Sequence, residues 1–404
     1  MSKKKLSPGP QTFYQSLLEL LNEVGQIELE DVSLNIGELE LDMRPYISQL
    51  PSQTTPQAAV TQVTLSNLLE EKFTPPVMEY PGEVVEVVIG ATKKDGGSRG
   101  NTVVIGGEKA PAYYLFENKP KNRPVISIDV FDMKIPLARP VRMHVEDVVE
   151  DPAAWAKRAV DKWNADMINL HLVSIDPLMS RTPPKEASKT VEKVLQAVKV
   201  PVAVGGCGDP ATDLKVFEVI AENFAGERLL FNSVTLDMDI KKTAQVMKKF
   251  GHAVIAFTSM DIDKARELNR RLYEDLPRED IVIDTTTAAL GYGLDYAFTV
   301  MERTRLAALM GDRELQHPLS SGTTNAWAAR EAWMKMDEKW GGSEYRGPLW
   351  ETITALTLLL TGVDYFMMMH PGAVKTVQEV ISHLTGGSSL EASKPVSWID
   401  MKAG

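Results

Sequence analysis

The chain has a single cysteine, Cys207, in 404 residues. It can close no internal disulfide, which suits a reducing compartment. An iron–sulfur cluster draws on about four thiolates, so none is expected in this chain, and a cysteine-based zinc site fails on the same count. Positive charge is also short. Lys and Arg total 44 against 55 Asp and Glu, a formal net charge of −11, which disfavours a nucleic-acid or anionic-membrane surface. The longest apolar run, around Ile353–Leu360, is far below the ~18–20 residues that span a bilayer. Met1–Pro10 is basic without an apolar stretch, so no signal peptide is expected and a cytoplasmic location is.

Several motifs are missing as well. The six histidines form no H-E-x-x-H pair or other close metal spacing. There is no phosphate-binding G-x-x-x-x-G-K-[ST], no G-x-S-x-G elbow, and no D-x-H-x-x-G signature of a cobalamin domain. No lysine closes a candidate strand, so a Schiff-base lyase finds no support.

What is present is a rhythm. Short apolar runs end in small, polar or acidic residues, and each leads into a helix-like stretch. The runs are Val125–Asp129, Met167–Ser174, Val202–Val204, Leu229–Ser233, Ala253–Thr258, Ile281–Thr285, Leu315–Ser320 and Tyr365–Met369. Eight such runs in roughly 250 residues predict an α/β fold, a (β/α)8 TIM barrel over 121–385. Asp151-Pro152 and Asp209-Pro210 each set an N-cap acid before a first-turn proline. An N-terminal α+β extension is expected over 1–80: a helix at 11–24, loosely alternating strands at 27–41 and a linker at 52–64. Val84–Ile89 and Thr102–Ile105 predict a β-hairpin within 81–120. Residues 386–404 read as a tail.

Barrels of this kind carry function at the C-terminal ends of their strands. The candidate binding residues are therefore Asn232, Thr258, Asp284, Thr285, Thr286, His317, Ser320, Ser321, Thr323 and His370, with Gly205, Gly206 and Asp209 of one turn. Gly206-Cys207-Gly208-Asp209-Pro210-Ala211 fits G-x-G-x-x-A, but it falls mid-chain, so a tight βα turn is the simpler reading; free N–H groups at that helix start remain a candidate anion site. His171 alternates with apolar neighbours and reads as a satisfied core histidine. Met367–Met369 is either rim or core.

The runs Pro81–Thr92, Gly106–Glu108, Val204–Pro210 and Met369–Ala373 together resemble one family. It is the small subunit of the corrinoid iron–sulfur protein, the delta subunit of acetyl-CoA decarbonylase/synthase, and the resemblance covers roughly residues 80–385. It implies a barrel similar to pterin-dependent methyltransferases, paired as a heterodimer with a large (gamma) subunit that carries a [4Fe–4S] cluster and cobalamin. The pair would ferry a methyl group from a methyl-tetrahydropterin to the nickel site of acetyl-CoA synthase/CO dehydrogenase, as in the Wood–Ljungdahl pathway, with the pterin methyltransferase as a second transient partner. Cobalamin would be contacted at the heterodimer interface, and this chain would not be catalytic by itself. A pterin-binding methyltransferase barrel, with Asp284 and Asn232 as hydrogen-bonding groups, is the alternative. The N-terminal 80 residues exceed what a plain bacterial small subunit needs, which points to the archaeal form or to docking in a larger assembly.

Overall fold

The computed structural model describes residues 76–114 and 119–386. The helix expected at 11–24, the strands at 27–41, the linker at 52–64 and the tail from 387 lie outside the described residues.

Two strands, β1 (Val87–Ile89) and β2 (Val103–Ile105), pair antiparallel with Val87 opposite Ile105 and Ile89 opposite Val103, as the flanking apolar runs predict. Eight parallel strands follow: β3 (Val125–Phe131), β4 (Met167–His171), β5 (Val202–Gly205), β6 (Leu230–Val234), β7 (Ala253–Phe257), β8 (Ile281–Asp284), β9 (Leu319–Ser321) and β10 (Val363–Met368). They close into a barrel in the order β10-β3-β4-β5-β6-β7-β8-β9. The strands are covered on both faces, so β3 is buried at all seven positions, as parallel strands between helices and a filled interior must be.

The main helices are α1 (Pro152–Trp163), α2 (Pro184–Ala197), α3 (Pro210–Asn223), α4 (Ile240–Phe250), α5 (Ile262–Leu272), α6 (Leu294–Leu309), α7 (Ser343–Leu359) and α8 (Pro371–Leu384). Their starts are fixed chemically. Asp151 accepts from the Ala153 and Ala154 N–H groups, Asp209 from Thr212, Asp239 from Lys242, and Asp261 from Asp263 and Lys264. Each cap satisfies donors that the first turn leaves orphaned.

One end of the barrel is sealed. Val87, Ile89, Val103 and Ile105 of the hairpin join Val125, Met167, Leu230 and Val282 in one interior cluster. Polar ties hold the plug there. Gly90 N donates to Arg228 O at 2.8 Å, and Arg228 Nε returns a bond to Val88 O at 2.6 Å. Buried Arg99 donates to Val198 O and Leu195 O, both at 2.8 Å, and pairs with Glu227 at 2.9 Å. All these partners precede strands or end helices, so the hairpin caps the N-terminal end.

At the same end Arg305 of α6 is 3% exposed and joins three elements. It pairs with Glu108, just after the hairpin, at 3.2 Å and with Asp364 of β10 at 2.5 Å, and donates to Gly362 O at 2.6 Å. Asp364 also accepts from Leu319 N of β9 at 2.7 Å. Burial, followed by repulsion from Asp364, pushes the Glu108 carboxyl up to about 8. Removing the guanidinium strands two buried acids, a loss of about 3–5 kcal/mol for a buried charge network. Arg305→Met is therefore expected to lower the urea midpoint by that equivalent. A loss below about 1 kcal/mol, the value of an exposed pair, would remove the cluster from the forces closing the barrel.

Candidate functional site

The open end is the C-terminal mouth. Successive strand residues alternate sides, so Asp129 and Phe131 of β3, His171 of β4, Asn232 of β6, Phe257 of β7, Asp284 of β8 and Met367 of β10 line one cavity with Ser233, Gly322, Thr324 and Asn325. Its volume is about 370 Å³.

Two carboxylates organise it. Asp129 Oδ1 accepts from Asn169 Nδ2 at 2.8 Å and lies 3.0 Å from His171 Nε2, which is also 2.9 Å from Asn169 Nδ2. The His171 ring stacks on Phe131 with centroids 5.0 Å apart. Burial alone would lower its proton affinity, but Asp129, with Asp132 behind it, outweighs burial and holds the imidazole above its ordinary value. Gly205 makes room for this ring: an added Cβ would sit 3.0 Å from His171 Nδ1. On the opposite wall, Asp284 accepts from Thr286 N at 2.7 Å, and Ser320 Oγ lies 3.2 Å from its other oxygen. Burial raises this carboxyl to about 6, partly countered by those two donors.

Of the residues expected at strand ends, Asn232 and Asp284 line the cavity itself. Thr258, Thr285 and Thr286 form its supporting turn: Thr258 N donates to Asp284 O at 2.9 Å and Thr286 Oγ1 to Thr258 O at 3.0 Å. Ser321, Thr323 and Thr287 form a hydroxyl chain at 2.8 and 2.9 Å. His370 caps α8 through Gly372 N at 3.0 Å, stacks near Trp327, and is buried beside His144. Beneath it Glu351 accepts from Met369 N at 2.6 Å and His370 N at 3.0 Å, and burial holds its carboxyl up at about 8.

Three expectations are corrected by position. His317 stands before β9 rather than at its end, bonded to Tyr273 Oη at 2.6 Å and Ile281 O at 3.2 Å; it belongs to the sealed end. The turn holding Gly206 and Asp209 offers no free anion cradle. Cys207 N and Gly208 N donate to Asp213 at 2.8 and 3.0 Å, Gly206 N donates to Asn232 O, and Asp209 is spent on its own helix cap. Burial pushes the Cys207 thiol up to about 12, so it stays an un-ionised, weak nucleophile. His171 is the third: it faces the cavity, not the core. Asp129, Asn169 and Phe131 stand outside the expected set, although Asp129 closes a predicted run and so carries the signal.

The Asp284 shift sets a pH dependence. Its folded value lies above its ordinary one, so the folded state holds the proton more tightly. The contribution to stability is greatest below about 4 and is lost as pH rises through about 6. Asp284→Asn is expected to remove this loss. Relative to the unsubstituted chain, it should gain on the order of 1–3 kcal/mol between pH 4 and 7, read from urea midpoints at several pH values. A difference that stays flat with pH would show that Asp284 remains ionised throughout.

Residues 86–337 match the family model described as CO dehydrogenase/acetyl-CoA synthase delta subunit. The chain is 52% identical over 344 residues to the acetyl-CoA decarbonylase/synthase complex subunit delta of Archaeoglobus fulgidus, covering 83% of this chain and 76% of that one. It is 46% identical over 367 residues to the same subunit of Methanothermobacter thermautotrophicus, covering 90% and 91%. Among solved structures, dihydropteroate synthase from Stenotrophomonas maltophilia is 14% identical with a TM-score of 0.44, covering 64% of this chain and 93% of that one; a likeness that distant bears no weight. With its closed eight-stranded barrel and this identity along most of its length, the chain belongs to the delta-subunit family of the acetyl-CoA decarbonylase/synthase complex.

Proposed function

We propose that this chain is the barrel half of a corrinoid iron–sulfur heterodimer, covering the cobalamin of a large subunit while a methyl group passes between a methyl-tetrahydropterin and acetyl-CoA synthase. The observation that carries the reading is a barrel with one end plugged and the other presenting a concave polar mouth, in a member of this family. A cavity of about 370 Å³ sits at the low end of small-molecule pockets, about 300–1,000 Å³. A corrin macrocycle is larger, so it fits only across the rim, where His171, Asn232, Phe257, Asn325 and Met367 would face it. The corrinoid supplies the methyl-carrying metal. This chain's residues supply exclusion: Phe131, Phe257 and Met367 keep solvent from the rim, and Asp129 and Asp284 hold their partners in place.

Two inward carboxylates with the Asn232 amide in one cavity also favour a second reading, in which the mouth itself holds a pterin, whose ring N–H groups such acceptors match. The readings part on simple titration. The isolated chain is expected to give no binding heat with methyl-tetrahydrofolate, whereas tight binding abolished by Asp284→Asn and Asn232→Ala supports the second. For the first, a stoichiometric, brown, cobalt-containing partner should co-purify, and adding this chain to that partner should slow the decay of the Co(I) absorbance in air-exposed buffer. A chain that elutes alone and turns over methyl-tetrahydropterin unaided would overturn it.

A further inference from the structure

Beneath the mouth, three inward side chains end in oxygens that find no partner among the described residues. Ser127 Oγ on β3, Asn169 Oδ1 on β4 and Tyr365 Oη on β10 have no hydrogen-bond partner, and all three residues are 0% exposed. They belong to one cluster on three neighbouring strands. β10 pairs with β3, setting Tyr365 beside Val125 and Met367 beside Ser127, and β3 pairs with β4, setting Asp129 beside Asn169. The Tyr365 hydroxyl approaches Ser127 without reaching bonding geometry and feels the Asp129 charge above it.

Buried polar atoms without partners are rare, and each costs about 1–3 kcal/mol. Three on successive steps of three adjoining strands point to shared solvent. The two hydroxyls each offer one donor and two acceptor sites, and the amide oxygen only accepts. Their common complement is a small molecule with two donors and room to accept, the usual role of a buried water. The same amide that lacks a partner on its oxygen donates through its nitrogen to Asp129, and Asp129 in turn meets His171. A bond received at Asn169 Oδ1 polarises the amide and strengthens what Nδ2 gives to Asp129, since linked hydrogen bonds reinforce one another.

We propose that the floor of the mouth is an ordered-water site bounded by Ser127, Asn169 and Tyr365, and that Tyr365 acts through it as a positioning residue for the Asp129–His171 pair. The proposal is independent of what the mouth binds. It makes the hydroxyl of Tyr365, at the far end of the cluster from His171, felt at the imidazole.

A crystal structure of the full chain at a resolution that resolves solvent, together with an NMR titration of the His171 ring, tests it. In the unsubstituted protein ordered solvent is expected to bridge the three oxygens, each with a peak within about 3 Å. Tyr365→Phe should lose the peak beside residue 365. Its Asp129, less well served by Asn169, should hold the His171 proton harder, moving the titration midpoint upward. Ser127→Ala, a smaller change, should move the midpoint in the same direction and serves if the phenylalanine variant does not fold. The absence of a peak in the unsubstituted protein, or an unmoved His171 midpoint in a folded variant, overturns the proposal.

Discussion

The plug at the N-terminal end is the constraint on which the rest of this molecule depends. A barrel of eight strands has two mouths, and its interior must be filled to be stable. Here β1 and β2 fill the lower interior with Val87, Ile89, Val103 and Ile105, and Arg99, Arg228 and Arg305 tie the plug to strand starts and helix ends. Buried polar residues divide accordingly. At the plugged end they serve structure, as in the Arg305 pairs and the His317–Tyr273 bond. At the mouth, Asp129, His171, Asn232 and Asp284 face a cavity.

That cavity is acidic within and tightly braced without. Asp284 is held by its own turn, Thr286 and Ser320, and Asp129 by Asn169 and His171. Among the described residues the partners of these acids are an imidazole, an amide, a backbone N–H and a hydroxyl. Desolvation pushes Asp284 toward its neutral form, while Asp129 outweighs burial and raises the proton affinity of His171. Both walls thus hold a proton more tightly than the free groups would, one because burial disfavours the Asp284 charge and the other because the imidazole sits beside an acid.

The strand rhythm was legible because βα units write their boundaries in residues whose chemistry is local: apolar runs, then Asp-Pro caps. All eight expected runs correspond to barrel strands, β3 to β10. The misreading of His317 has a local cause too. The expected run Leu315–Ser320 begins four residues early, for Pro318 has no N–H to give a ladder and His317 N turns back to Leu315 O. Pairing starts only at Leu319, which moves His317 from the strand's end to before its start. The glycine turn misled for another reason: whether Asp213 folds back to fill it is a matter of side-chain reach, not of spacing.

His171 marks the limit of pattern reading. An inward position on a barrel strand alternates with outward apolar ones whether it lies deep in the filling or at the lip, so periodicity cannot tell a core histidine from a mouth histidine. Depth decides, and depth is counted in residues from a plug that lies some seventy positions earlier in the chain. Asn169, two residues deeper on the same strand, is fully buried while His171 is partly open. That single step separates a group that must find its partner inside the protein from one that can offer itself to something outside. A mouth built on this boundary is polar because the filling stops there, and its residues are free for binding for the same reason.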